Sequence, residues 1–192
     1  MRCQVCHAWS REVVCAQCAA EYLMPTLSRR RVGTLEVVSL FGYSAVSPLL
    51  LTKHTPVGYR IYRYLGRRYI APLVRDLLAA IPEEEPTVVA IDEDVRHGYA
   101  HTAQLIRPLH RIGVGVHHGA LRARNRVHYA GKTLAYRLSH PRDFVTTLGP
   151  DRSVILVDDI VTTGVTLQEA QRVLEAAGNR VLMAVTVADA RK

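Results

Sequence analysis

Two adjacent carboxylates, Asp158 and Asp159, are the side chains of this sequence best suited to binding a polyol. They follow four apolar residues, 154–157, which predict a strand buried on both faces, as in a parallel sheet. Because ionised carboxylates only accept hydrogen bonds, the pair suits a vicinal diol better than a phosphate. The alternative is that the pair simply ends a strand.

A phosphate site is predicted directly after the acidic pair. The segment offers three hydroxyls and a glycine that lets the backbone approach a ligand: Thr162, Thr163, Thr166 and Gly164. Apolar spacing over residues 167–177 predicts a helix that ends at Gly178, and the unpaired N–H groups at a helix start favour an anion. The order of strand, acidic pair, loop and helix suggests a phosphosugar site, although Thr-Thr-Gly could merely turn the chain.

All four cysteines lie near the N-terminus as two Cys-x-x-Cys pairs: Cys3, Cys6, Cys15 and Cys18. Four thiolates at this spacing predict a closed, structural zinc site, with a redox pair or unrelated thiols as alternatives. Because few residues surround the cysteines, the metal would supply the folding energy of this module. Trp9 is expected to pack over the two pairs.

The most cationic stretch, residues 58–68, interleaves arginine with tyrosine. Its candidates for contact with single-stranded nucleic acid are Arg60, Arg63, Arg67, Arg68, Tyr59 and Tyr62. Arginines on phosphates and tyrosines under bases hold single strands without reading their sequence. The alternative is an amphipathic helix with tyrosines inward and arginines in water. The net charge of +8 over 192 residues is compatible with nucleic acid, phosphosugars or acidic lipid.

The elements that must position these residues alternate between short apolar strands and helices. This pattern predicts an α/β fold with a doubly wound parallel sheet. Residues 1–24 would form the zinc-knuckle module and residues 25–192 the main domain, including a basic helical segment at 57–81. A linker or short helix is expected at 23–32, and a strand at 113–121. With no signal peptide and no apolar run of membrane-spanning length, a cytoplasmic protein is expected.

Residues 154–166 resemble the phosphoribosyl pyrophosphate (PRPP) signature of type I phosphoribosyltransferases. The resemblance implies that Asp158 and Asp159 hold the ribose hydroxyls. It also implies that the 5′-phosphate is cradled by Thr162, Thr163, Gly164, Val165 and Thr166.

The same resemblance implies that the loop after the predicted strand 87–91 holds pyrophosphate, with Arg96, His97 and Gly98 as candidates. The acidic residues 92–94 beside a pyrophosphate imply a bridging Mg²⁺, unless this is only a charged surface loop. The basic segment 122–132 corresponds to a mobile hood over the ligand, or is a solvated loop.

The cysteine module, the basic segment and the PRPP signature, in this order, resemble the ComF (ComFC) family. That resemblance implies a cytoplasmic protein of natural transformation that binds single-stranded DNA and PRPP near the DNA-uptake machinery of the inner membrane. No catalytic base or acceptor is assigned, because the position that serves as base in hypoxanthine-type relatives is Thr162. The alternatives are a nucleotide-salvage phosphoribosyltransferase that uses PRPP and a nucleobase, and a zinc-dependent nucleic-acid binder whose PRPP pocket is vestigial.

Overall fold

A computed structural model describes residues 1–91, 95, 98–125, 127, 129 and 131–191 of the chain. Its α-helices are α1 (Ala16–Tyr22), α2 (Tyr43–Leu50), α3 (Pro56–Leu65), α4 (Ala71–Ala79), α5 (His101–Ile106), α6 (Leu134–Ser139) and α7 (Val165–Ala176). A π-helical turn (Gly66–Ile70) joins α3 to α4, and a 3₁₀ segment (Arg107–Ile112) continues α5. The strands are β1 (Ser28–Val32), β2 (Leu35–Gly42), β3 (Thr87–Ala90), β4 (Leu121–Ala123), β5 (Phe144–Thr146), β6 (Ser153–Val161) and β7 (Arg180–Asp189).

The central sheet has the strand order β1-β2-β7-β6-β3. Only β1 runs antiparallel to its neighbour, so the predicted parallel sheet is confirmed. The predicted strand over 113–121 is wrong in extent. Among the described residues it contributes one parallel bridge, Val116 to Val88, and β4 begins only at Leu121. A separate two-stranded sheet pairs β4 with β5.

Both faces of the sheet are covered, as a doubly wound fold requires. In β6, Ile155 and Val157 pack into the core beneath α2 to α5, while Val154 and Leu156 pack into the core on the side of α7. This alternation follows from the period of two in a strand. A continuous apolar run is therefore needed to fill both cores, which is what the sequence of β6 provides.

The segment expected to be a linker or short helix is instead partly a strand. β1 pairs with β2 through a tight turn at Gly33, where φ is +61°. Ser28 and Val32 are buried, while Arg29 and Arg31 are exposed. Three consecutive arginines concealed this alternation, because the inward-facing middle one, Arg30, is itself charged.

The basic segment forms one continuous helix from Pro56 to Ala79, made of α3, the π turn and α4. The π turn lies where α5 crosses closely. A Cβ on Gly66 would lie 2.4 Å from the carbonyl oxygen of Leu105, so only glycine permits this approach. The helix is thereby held against α5, which carries one side of the candidate site.

The cysteine module packs into the main core. Cys3, Val14 and Leu23 belong to the same buried cluster as Tyr64 and Tyr69 of the long helix. The sequence boundary predicted after residue 24 therefore does not coincide with a break in the hydrophobic core. Among the described residues, no helix combines the length and the apolar character needed to cross a bilayer.

Trp9 does not pack over the cysteine pairs, contrary to expectation. It pairs with Arg2 in an isolated β-bridge and remains 79% exposed. The guanidinium carbon of Arg2 lies 5.5 Å from the centre of its ring. An exposed tryptophan next to a cation is therefore a surface feature of the module.

Candidate functional site

The acidic pair lies inside β6 rather than just beyond it, because the strand continues to Val161. Asp158 and Asp159 are both buried. Asp158 Oδ1 accepts a hydrogen bond from the backbone N–H of Asp159 at 2.8 Å. Two carboxylates in succession are thus held inside a buried strand, near its carboxyl end, where ordinary strand residues would be apolar.

Asp159 is anchored by three side chains from separate segments. Its Oδ2 accepts hydrogen bonds from Lys53 Nζ at 3.1 Å and from Tyr62 OH at 3.0 Å, and His101 Nε2 lies 3.6 Å away. Burial alone would raise the pKa of Asp159, but the charges of Lys53 and His101 and the hydrogen bonds lower it to about 2. Asp159 is therefore ionised at neutral pH.

Asp158 has the opposite electrostatics. Burial and the adjacent Asp159 charge raise its pKa well above the usual value, with the backbone N–H of Asp159 opposing that rise. When the pKa values of two neighbouring carboxyls are driven apart, the ionised one can accept a hydrogen bond from one hydroxyl of a diol. The protonated one can donate a hydrogen bond to the other hydroxyl or accept one from it. Such a pair differs from a simple acidic strand end.

The loop between β6 and α7 has the geometry of an anion site. Gly164 adopts φ +82° at the N-cap of α7, so the helix start has no side-chain cap and its first N–H groups stay available. Glycine is also required here by packing, because a Cβ would lie 2.2 Å from Val32 Cγ1. Val165 and Thr166 form the first turn of this helix.

Two arginines converge on Thr162 from distant parts of the chain. Arg30 Nη2 donates to the Thr162 carbonyl at 2.6 Å, and Arg137 Nη1, from α6, donates to Thr162 Oγ1. Thr163 Oγ1 is buried with no hydrogen-bond partner among the described residues. The loop thus combines two cations, free helix N–H groups and an unsatisfied hydroxyl, which together favour a phosphate.

Most of the predicted pyrophosphate loop lies outside the described residues, including Arg96, His97 and the acidic residues 92–94. Gly98 is described, exposed and at φ +88°. Next to it, Tyr99 OH donates to the Lys53 carbonyl at 2.5 Å and to the Thr55 carbonyl at 3.0 Å. This contact joins the end of the loop to the segment that carries Lys53.

The predicted hood is described only in part, since Arg126 and His128 lie outside the described residues. α6 follows it, and Arg137 anchors it by donating to the Tyr129 carbonyl at 2.9 Å as well as to Thr162. Glu169 of α7 accepts the backbone N–H groups of Arg142 and Asp143 at 3.1 and 2.7 Å. The segment after the predicted hood is therefore held against α7, the helix that follows the acidic pair.

The four predicted cysteine ligands come together. Their sulfur atoms all lie within 4.8 Å of one another, and Cys6 Sγ is 3.7 Å from Cys15 Sγ. A tetrahedral metal with bonds of about 2.3 Å to sulfur has edges of roughly 3.8 Å, so the cluster fits a four-coordinate ion.

Backbone hydrogen bonds prepare one of these sulfurs for a metal. The N–H groups of Cys15 and Val5 donate to Cys3 Sγ at 3.3 and 3.4 Å. Burial alone would raise the pKa of the Cys3 thiol, but these hydrogen bonds outweigh it and lower the pKa to about 6. Such N–H···S contacts favour the thiolate that a metal needs.

The predicted DNA-contact residues lie in different environments. Arg60 and Arg68 are exposed, whereas Arg67 donates to both carboxylate oxygens of Glu12 at 2.7 Å. Arg63 and Tyr59 are half-buried and hydrogen-bonded to each other.

Tyr62 requires a correction. It is 0% exposed and its hydroxyl donates to Asp159 and to the Leu50 carbonyl, so its ring cannot stack on a base. The reason is helical geometry, because Tyr62 shares the inward face of α3 with Ile61 and Leu65.

Sequence reasoning missed five residues that support the site: Arg30, Lys53, Tyr62, His101 and Arg137. The sequence pattern indicates Tyr62 only as a candidate for contact with DNA. Weak signals existed, since Arg30 lies in an arginine run and Lys53 follows an apolar segment directly. Neither pattern specifies a contact with residues about a hundred positions away.

Known proteins with a similar fold include two phosphoribosyltransferases. The yeast Saccharomyces cerevisiae adenine phosphoribosyltransferase is 18% identical with a TM-score of 0.44, over 91% of this chain and 89% of that chain. A Trypanosoma cruzi hypoxanthine phosphoribosyl transferase is 18% identical with a TM-score of 0.45, over 67% of this chain and 64% of that chain. No curated protein is significantly similar in sequence.

The family model of the phosphoribosyl transferase domain matches residues 64–192. The matched region contains β6, the acidic pair, the loop between β6 and α7, α7 itself and the segment predicted to form a hood. Because the match spans more than half of the chain and all of these elements, the protein belongs to the phosphoribosyl transferase domain family.

Proposed function

We propose that this protein binds PRPP with Mg²⁺ at the acidic pair and single-stranded DNA on its basic surface, in DNA uptake during natural transformation. The observation that carries the PRPP half is the buried Asp158–Asp159 pair beside the uncapped start of α7. The carboxyls suit the ribose hydroxyls, and the loop with Arg30 and Arg137 suits the 5′-phosphate. The ligand is a phosphosugar, which has both groups in one molecule.

Cofactors follow from the donor chemistry. Mg²⁺ would accompany the pyrophosphate at residues 92–94, which lie outside the described residues, so that part of the proposal rests on sequence alone. Zinc is the ion proposed for the cysteine cluster, because four sulfur ligands at tetrahedral spacing are its usual structural site. Its role there would be structural, since four thiolates leave no open coordination position.

No residue is assigned as a base for phosphoribosyl transfer. Thr162 occupies the position that serves as base in hypoxanthine-type relatives, and its hydroxyl is engaged by Arg137. A ribosyl transfer could still proceed through electrostatic stabilisation of the developing cation. We therefore propose a role as a PRPP-binding protein without assigning an acceptor.

The DNA half rests on the resemblance to the ComF family and on a continuous basic and aromatic surface. Trp9 is exposed beside Arg2, and Met1 pairs with Ser10 through two backbone hydrogen bonds of 2.9 and 3.0 Å. Met1 Sδ in turn lies 3.9 Å from Arg60 Nη1 of α3. An exposed aromatic ring next to an arginine is suited to stacking a base while the arginine binds a phosphate.

The test is a titration of the full zinc-loaded chain with single-stranded DNA at two salt concentrations, with and without PRPP and Mg²⁺. Binding is expected to weaken with salt, and Trp9→Ala or the double change Arg60→Ala with Arg68→Ala to weaken it further. The logarithm of the affinity falls linearly with the logarithm of the salt concentration, and removing one arginine that binds a phosphate should reduce this slope by about 0.7. Arg75→Ala, an exposed arginine of α4 that pairs with Asp76, is the matched control.

In the same series, Asp158→Asn with Asp159→Asn is expected to weaken PRPP binding at least about tenfold, because charge-assisted hydrogen bonds contribute about 1.5–3 kcal/mol. Asp76→Asn, an exposed carboxyl of α4, should leave PRPP binding unchanged. Rapid pyrophosphate release with one nucleobase, together with no DNA binding at low salt, would overturn the proposal in favour of a salvage enzyme. Intact PRPP binding in the double variant would contradict the assigned site.

A further inference from the structure

A cavity lies beside α5, and none of its lining residues is Asp158 or Asp159. Its volume is about 560 Å³, within the roughly 300–1,000 Å³ typical of small-molecule sites. It is lined by Val95, Ala100, Ala103, Gln104, Arg107, His110, His118, Gly119 and Arg122. None of these residues is among the side chains described above as contacting Asp158 or Asp159.

The cavity occupies a separate face of α5. Ala100, Ala103, Gln104 and Arg107 follow the spacing i, i+3, i+4 and i+7, which places them on one side of a helix. His101, which approaches Asp159, is offset from that stripe. The same helix therefore serves two sites on two of its faces.

The polar lining of the cavity is suited to an anion. Two arginines and two histidines line it, and none of its described lining residues is acidic. The rings of His110 and His118 lie 5.5 Å apart. The guanidinium of Arg122 packs over Gly119, where a Cβ would lie 2.9 Å from Arg122 Nη2. Arginine with its planar set of donors is the residue best suited to a phosphate.

Gln104 supplies an independent sign of a ligand. The residue is only 7% exposed, and its Oε1 is buried with no hydrogen-bond partner among the described residues. Buried amide oxygens are nearly always paired, so an orphan one calls for a missing donor. A ligand N–H entering the cavity would supply that donor, while Val95, Ala100 and Ala103 offer an apolar wall for a flat ring.

We propose that this cavity binds a nucleoside monophosphate whose base carries an exocyclic amine, at a site separate from the acidic pair. The phosphate would lie against Arg107 and Arg122, and the amine would donate to Gln104 Oε1. A phosphate alone would leave Gln104 unsatisfied, and a nucleoside alone would supply no anion for the arginines. Such a site would exist whether or not the acidic pair binds PRPP.

The test uses AMP as probe, titrated calorimetrically into the full chain in the presence of saturating PRPP and Mg²⁺. AMP is expected to bind under these conditions, and equally well in the Asp158→Asn, Asp159→Asn variant. Arg107→Ala with Arg122→Ala should weaken binding at least about tenfold, because neither alanine can bind the phosphate. Arg111→Ala, an exposed arginine of the same 3₁₀ segment outside the cavity, should have no effect.

The role of Gln104 is tested by comparing AMP with IMP, which has an oxygen where AMP has its amine. The wild-type chain should prefer AMP several-fold, and Gln104→Leu should reduce that preference to near equality while adenine still packs on the apolar wall. Both arginines are solvent-exposed, so their variants remain informative even if Gln104→Leu does not fold.

Three results would overturn the proposal. AMP binding that PRPP displaces, or that the acidic-pair variant abolishes, would place the nucleotide in the PRPP site instead. Equal binding of AMP and IMP by the wild-type chain would remove the role of Gln104. If the wild-type chain sediments as a dimer and the Arg122→Ala variant as a monomer, a second copy of the chain covers the cavity.

Discussion

At the scale of single residues, Asp159 both supports the fold and forms part of the candidate site. Its Oδ2 holds Lys53 and Tyr62 at hydrogen-bond distance, so the loop before α3, the helix itself and β6 meet at one oxygen. Among the described residues, these supports all contact Oδ2. The diol of the proposed ligand would therefore bind at Oδ1, without displacing them.

Tyr62→Phe tests that arrangement. Removing the hydroxyl leaves one bond to Asp159 Oδ2 and one to the Leu50 carbonyl unmade in a buried environment, so the free energy of unfolding should fall by about 1–3 kcal/mol. Urea denaturation measures this decrease. Tyr59→Phe is the control, because Tyr59 is half-buried and its hydroxyl accepts from Arg63, and it should cost well under about 1 kcal/mol.

Affinity for single-stranded DNA should stay unchanged in Tyr62→Phe under conditions where the variant is folded. A drop in DNA affinity with unaltered stability would instead mean that the Tyr62 hydroxyl contacts the nucleic acid, contrary to the complete burial of this residue.

At the scale of elements, Arg30 of the edge strand β1 forms an ion pair with the end of β7 and a hydrogen bond with the loop between β6 and α7. Arg30 Nε lies 2.8 Å from Asp189 Oδ2 at the end of β7, with the two side chains only 16% and 3% exposed. The same guanidinium donates to the Thr162 carbonyl. Strand β1 therefore contributes to the site although it lies at the far edge of the sheet.

Arg30→Ala is expected to destabilise the protein by about 3–5 kcal/mol, since it leaves the buried Asp189 charge unpaired. Thermal and urea unfolding measure the change, and PRPP affinity should fall in the remaining folded protein. The neighbouring Arg29→Ala is a closely matched control, because Arg29 pairs with Glu36 on the surface and should cost less than about 1 kcal/mol. Equal effects of the two changes would contradict the buried pairing.

The contrast between these elements shows what could be predicted from sequence. The segment that contains β6, the following loop and α7 is contiguous in sequence, and its apolar run, acidic pair and glycine determine its local structure. The sequence therefore predicts this segment correctly, except that the strand extends to Val161. The supports Lys53, His101 and Arg137 come from separate segments, and only packing brings them together. β1 was missed because its inward alternation passes through a charged residue, Arg30.

At the scale of the whole molecule, the cysteine module and the main domain share one buried cluster. Arg67 of the π turn also pairs with Glu12 of the module at 2.7 Å. The module therefore packs against the middle of the long helix, and the metal proposed for the cysteines is expected to stabilise more than the residues around them.

Removing the metal with a strong zinc chelator should lower the melting temperature of the entire chain by more than about 5 °C, in a single transition. Far-ultraviolet circular dichroism with a thermal ramp measures this shift. Cys15→Ser should reproduce it, and the chelator should add nothing to that variant. Two separate transitions, with the later one unmoved by the chelator, would mean that the module folds independently of the main domain.

The contact between Val32 and Gly164 has a consequence for how the sequence can change over evolution. Gly164 has no room for a side chain, because Val32 Cγ1 occupies the space where its Cβ would lie. Any larger residue at position 32 would press on the loop backbone, so that position is restricted to valine or smaller. An edge strand normally tolerates substitution, but here its sequence is constrained by a loop more than a hundred residues downstream. The two segments should therefore change together among related sequences.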